Sequence, residues 1–121
     1  MPPNPFRPID FLDLAEELIE RGSEAAFRAS VSRAYYAIFL HIRERLTTSG
    51  RFTHARGGND HRELPNALRD LGAPELCREM VDCHVARNRA DYDLLPNVSV
   101  QKAREQCVRV RGCKPFSPLL K

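Results

Sequence analysis

Apolar side chains return every three or four residues along five stretches of this chain, the interval at which one face of an α-helix meets a core. The first stretch, Ile9 to Arg21, sets Phe11, Leu14, Ala15, Leu18 and Ile19 against a run of acids. The second and longest, Glu24 to Thr48, repeats Phe27, Val31, Ala34, Tyr35, Ile38, Ile42 and Leu46, with Ser23 placed as its N-cap. A short third helix is expected from Pro65 to Leu71, because proline suits a first turn and a start at Asp60 would press its ring on the His61 carbonyl. Pro74 opens a fourth helix reaching about Leu95, closed by Pro96, with Leu76, Met80, Val81, Val85, Tyr92 and Leu95 as its apolar set. Ser99 caps a fifth through Arg111 that turns Ala103, Cys107 and Val110 inward.

Gly22, Gly50, Gly72 and Gly112 each follow one of these stretches, where a left-handed C-cap is wanted. No period-two alternation competes, so the expected fold is all-α: an up-and-down helical bundle of about five helices in a single domain, 1–121. Six of the nine prolines fall near the ends, which predicts irregular tails at about 1–8 and 113–121. Residues 49–59, with three glycines and Arg51, His54 and Arg56, read as a flexible basic loop.

A chain of 121 residues, 42% hydrophobic and 29% charged, can build one core and is not disordered by composition. Its longest uncharged apolar run, Ala34 to Ile42, falls far short of the roughly 20 residues that a bilayer requires. The first residues lack the basic start and apolar run of a secretory signal, so no membrane and a cytoplasmic location are expected. Cys77, Cys83, Cys107 and Cys113 form no CxxC pair and are expected reduced, as packing residues.

Net charge is +3, and 16 of the 19 basic residues are arginine, the side chain that grips phosphate or carboxylate with two donors. Asp10 to Arg21 holds five acids and one base, whereas Gln101 to Lys121 holds six bases and one acid. That split reads either as two solvated helix faces or as a polarity that orients a second protomer or partner.

Chemistry concentrates on the fourth helix, where His84, Arg87, Asn88 and Asp91 fall at steps of three and four and so share one stripe. Arg87 with Asp91, and Arg89 with Asp93, also have the spacing of ordinary surface ion pairs. On the second helix Arg33 stands near Tyr35 and Tyr36, and an arginine can partner a buried phenol, a supporting role. The cysteine and histidine spacings fit no metal site, and no glycine-rich loop carries a phosphate-binding signature; no cofactor is expected.

Two segments, SRAYYAIFLHIRERL at Ser32 to Leu46 and ARNRADYDL at Ala86 to Leu94, resemble the signature stretches of the HEPN family. A long helix, then H-x-E-L-P at His61 to Pro65, then the motif helix, agrees with that family's order, and the likeness covers roughly Phe11 to Arg111. The resemblance implies two protomers whose motif helices face each other across a shared cleft that cleaves RNA without metal. The cleft would contain an arginine, a polar neighbour and a histidine. Arg87 and Asn88 match the first two; the histidine is due four to six residues further on, where Tyr92, Asp93 and Leu94 stand instead.

A phenol is a poor base at neutral pH, although its hydroxyl can hold a phosphate oxygen, so Tyr92 is expected to bind rather than react. Asp91 is held by Arg87, which weakens it as a base, and His84 is expected to be partly buried and hydrogen-bonded. The resemblance therefore implies a homodimeric, non-catalytic or weakly active member of a toxin–antitoxin-like pair with a separately encoded minimal nucleotidyltransferase. One rival is a metal-independent endoribonuclease toxin using Arg87, Asn88 and either His84 or Tyr92. Another is a nucleotide- or RNA-binding helper using the basic loop Arg51 to Arg56 and the basic end Arg104 to Lys114.

Overall fold

Helix α2, Glu24–Thr48, runs through the middle of the molecule; α1 (Ile9–Ile19), α4 (Pro74–Tyr92) and α5 (Val100–Arg111) pack on it, and α3 (Asp60–Asp70) packs on α4. This computed structural model describes residues 6–54 and 58–113; most of the tails expected at about 1–8 and 113–121, together with Arg56 and Lys114, lies outside them. Among the described residues the architecture is an all-α helical bundle without strands, as the apolar spacing predicts. No helix there is long and apolar enough to cross a membrane.

The α2 core face is as expected: Val31, Ala34, Tyr35, Ile38 and Ile42 are buried, joined by Ala37 and Phe39. The predicted caps are also present, Ser23 accepting from the Ala26 amide at 3.2 Å and Ser99 from the Lys102 amide at 3.1 Å. Gly22, Gly50 and Gly72 take the left-handed conformation after their helices, but Gly112 stays right-handed at φ −79°, so α5 ends without such a cap.

Three boundaries and two faces differ from expectation. Helix α1 stops at Ile19 and turns Leu12, not Leu14, into the core beside Ala15 and Ile19. Helix α4 stops at Tyr92, and Leu94 and Leu95 stand in solvent, the latter 96% exposed, because the residue before Pro96 cannot be helical without a clash. Its buried face is Leu76, Met80, Cys83, Arg87 and Ala90, spaced 4-3-4-3, while Val81, Val85 and Tyr92 face outward.

Helix α3 begins at Asp60 and keeps Pro65 inside it. The proline removes one ladder bond, to the His61 carbonyl, a loss outweighed by tertiary anchors on the first turn. Asp60 is buried and accepts from Arg43 Nη1 of α2 at 3.2 Å, with His54 on the same oxygen, and Leu64 is fully enclosed.

Buried and bridging polar groups fix how the helices sit. Ser30 Oγ of α2 donates to the Ala15 carbonyl of α1 at 2.7 Å, both within the core. The charge split between the two ends of the sequence closes on itself, since Arg111 of α5 reaches Asp13 at 2.9 Å and Glu16 at 2.5 Å on α1. Arg109 likewise ties α5 to Glu79 and Asp82 of α4. Cys83, Cys107 and Cys113 are free thiols in the core and Cys77 is half-buried, as packing residues should be.

The end of α4 is held by a side chain that periodicity does not flag. Arg28 of α2 sends Nη1 to the carbonyls of Ala90 at 3.0 Å and Asp93 at 2.7 Å, and Nη2 to that of Pro96 at 2.6 Å. Its Nε donates to Glu24, whose other task is to accept from the Val98 amide. A helix leaves its last carbonyls unpaired and carries partial negative charge there, so a guanidinium answers both needs. Arg28→Ala is expected to lower stability by about 1.5–3 kcal/mol, the range for hydrogen bonds to a charged group. Urea unfolding will check this, with Arg28→Lys close to the alanine variant because one ammonium cannot span the Asp93 and Pro96 carbonyls.

Candidate functional site

Arg87 occupies a core-facing position of α4, yet its side chain remains 16% exposed, so a charge sits at the edge of the apolar interior. Such a group needs neighbours of the right kind. Its guanidinium lies 5.2 Å from the Tyr36 ring centre and 5.4 Å from that of Tyr92, two faces that attract a cation. Nη1 donates to Asn88 Oδ1 at 2.8 Å. Nε is 2.9 Å from Asp91 Oδ2, close enough for ion pairing, but its N–H is not aimed at the carboxylate and makes no hydrogen bond. Ser32 of α2 donates to that same oxygen at 3.1 Å, which locates Asp91.

The expected stripe is therefore real and linked side to side. Asn88 continues it to His84, its Nδ2 standing 3.4 Å from His84 Nε2, a long and weak contact. His84 is half-buried with its ring stacked on Tyr35, 5.1 Å between centres and 21° between planes. Asp91 and Asn88 are exposed, and Tyr92 is 72% exposed. Arg87 with Asp91 is thus not the wet surface pair that spacing alone suggests.

A residue not singled out by sequence reasoning completes the cluster. His61, on the first turn of α3, stacks between Phe39 at 4.2 Å and His84 at 5.1 Å, with planes tilted by only 12° and 14°. Its Nδ1 is 2.6 Å from the Tyr35 hydroxyl. The signal in the sequence was the H-x-E-L-P stretch, but reading the helix as starting at Pro65 left His61 in a loop. Arg33 also differs from expectation: it partners no tyrosine hydroxyl but lies over the rings of Phe11 at 5.0 Å and Tyr36 at 4.9 Å.

The electrostatics follow from this packing. Burial pushes the Tyr35 phenol far above its usual range, so it stays protonated. Burial also lowers His84 below 6.5, helped by the Arg87 charge. His61 is lowered as well, first by burial, then by His84, Arg87 and Arg43, with Asp60 opposing them. Burial raises the Cys83 thiol to about 12, which leaves it inert.

Other candidate surfaces carry less. Among the described residues no group of three or more metal-ligating side chains converges. A cleft of about 630 Å³ between α4 and α5 is lined by Val85, Arg89, Lys102 and Arg109, and one of about 680 Å³ by Leu76, Glu79 and Val108; neither includes His84 or Arg87. In the basic end, Arg109 and Arg111 each already pair with two carboxylates. No described protein family, curated protein or solved structure matches this chain.

Because folding lowers both imidazole pKa values, the unfolded chain binds the extra protons, and stability is lost as pH falls from above 6.5 through the folded midpoints. Proton NMR is expected to find both rings titrating below 6.5. Arg87→Gln should move both midpoints upward, and unmoved midpoints would remove the guanidinium from their surroundings.

Proposed function

We propose that this chain is a HEPN-type helical module that acts on RNA as a metal-independent endoribonuclease, with Arg87 on the phosphate and Asn88 orienting it. The observation that carries this reading is that His84 and Arg87 share one partly open edge of the bundle, with Asn88 between them, bonded to Arg87 at 2.8 Å and 3.4 Å from the imidazole. Arginine stabilises charge that builds on a phosphate as it reacts, and a neutral imidazole can accept a hydroxyl proton at pH 7. Tyr92 stands where the family motif calls for histidine, and it stacks on Arg87 rather than moving a proton. A homodimer with facing α4 helices is part of the proposal, supported by the exposed apolar row of Val81, Val85 and Tyr92 on the same helix as the stripe.

A second reading has its own support. Arg87 is already engaged by Asn88 and Asp91 and flanked by two rings, the arrangement of a site that binds rather than turns over. On that reading the chain is the non-catalytic partner of a minimal nucleotidyltransferase. Single-stranded RNA incubated with the full chain in EDTA separates the two. Cleavage that falls at least about 100-fold in Arg87→Ala, the usual effect of losing one charge-stabilising donor, supports the enzyme. Intact RNA with a folded wild-type protein rejects it in favour of the partner role.

A further inference from the structure

We infer that His61, reaching the site from α3, shares the proton transfers of the proposed RNA cleavage with His84, and that Tyr35 is the residue that positions it. This inference rests on the ribonuclease reading and adds to it a group that lies outside the motif helix.

The geometry carries the assignment. Tyr35, His61 and His84 form a triangle of rings, 5.1–5.6 Å between centres and 14–27° between planes, with Phe39 stacked on His61 at 4.2 Å and the Tyr35 hydroxyl joined to His61 Nδ1. Tyr35 is buried and locked by its surroundings, so the bond to Nδ1 fixes the plane of His61 and leaves Nε2 as the nitrogen opposite it. His84 shows its Nε2 to the exposed amide of Asn88, which in turn holds Arg87. Two imidazoles and a guanidinium thus come to one edge of the bundle from two helices.

Local helix preference alone does not place His61 there. Helix α3 reaches back to Asp60 in spite of Pro65, and it does so through Asp60 on Arg43 and His61 on Tyr35. A rule of local structure broken in this way, and compensated by tertiary contacts, is typical of functional positions.

Cleavage needs one proton removed and one supplied. The ribose 2′-oxygen attacks the adjacent phosphorus as its proton passes to a neutral imidazole. The P–O5′ bond breaks as the other, protonated imidazole gives its proton to O5′. The products are a 2′,3′-cyclic phosphate and a 5′-hydroxyl, and no oxidation or metal is involved. A pair of imidazoles this close favours the mixed charge state, because a proton on one opposes a proton on the other. The groups facing His61 are Tyr35 and Arg43 from α2, Asp60 on α3, and His84 and Arg87 from α4. The arginines keep double protonation rare, so the rate should pass through a maximum below pH 6.5.

The test uses the full chain, single-stranded RNA and EDTA, with RNA affinity and thermal melting measured alongside. His61→Gln is expected to cut about 100-fold more slowly, within the range for loss of a general acid or base, while binding RNA within about two-fold of wild type. Its pH–rate profile should lose one limb, and imidazole added to His61→Ala should restore part of the rate. Tyr35→Phe should shift the limb that belongs to His61 while leaving both limbs present. A His61→Gln protein that cuts at the wild-type rate, or that slows with an unchanged two-limbed profile, overturns the role of His61 alone. A folded wild-type protein that leaves RNA intact overturns both this inference and the ribonuclease reading on which it rests.

Discussion

Everything at the candidate site depends on the last turn of α4, and one guanidinium ties that turn to α2. Arg28 binds the carbonyls of Ala90, Asp93 and Pro96 together, so the last turn of α4 and the strand-like exit after it are fixed against α2. Without that clamp, the terminal carbonyls would seek water and the turn bearing Arg87, Asn88 and Asp91 would fray. The site is thus built from α2 outward: Arg28 holds the frame, Ser32 holds Asp91, and Tyr35 and Tyr36 supply the surfaces on which the imidazoles and Arg87 rest.

This dependence explains what was legible in the sequence. Apolar spacing is a property of each helix alone, so the five elements, the α2 and α5 core faces and the two serine caps follow from it directly. The stripe from His84 to Asp91 was equally readable, because four residues on one helix need only the helical repeat to meet. Periodicity misled on α4, whose apolar residues outnumber its core positions; Val81, Val85 and Leu95 were counted inward, while the true inward face includes a charged residue.

Contacts between helices were not legible. Arg28 looks like one more surface arginine until α4 is brought against it, and His61 looks like a loop residue until α3 is extended past its proline. The extension is a clear case of tertiary anchoring overriding local preference, since Asp60, His61 and Leu64 each gain a partner in the core that a proline's missing donor cannot outweigh. The acidic and basic ends of the chain show the same thing in electrostatic form: a polarity visible in sequence turned out to be an internal tie between α1 and α5.

Helix α3 is short, and its first turn reaches the bundle largely through Asp60, His61 and Leu64. Segments anchored at few points open on their own while the rest of a domain stays intact. Displacing α3 would carry His61 away from His84 and Tyr35 and would uncover Leu64 and Leu68 of the core. The pairing of His61 with His84 is therefore only as secure as the seat of α3, which Leu64 and Leu68 fasten to the core as well.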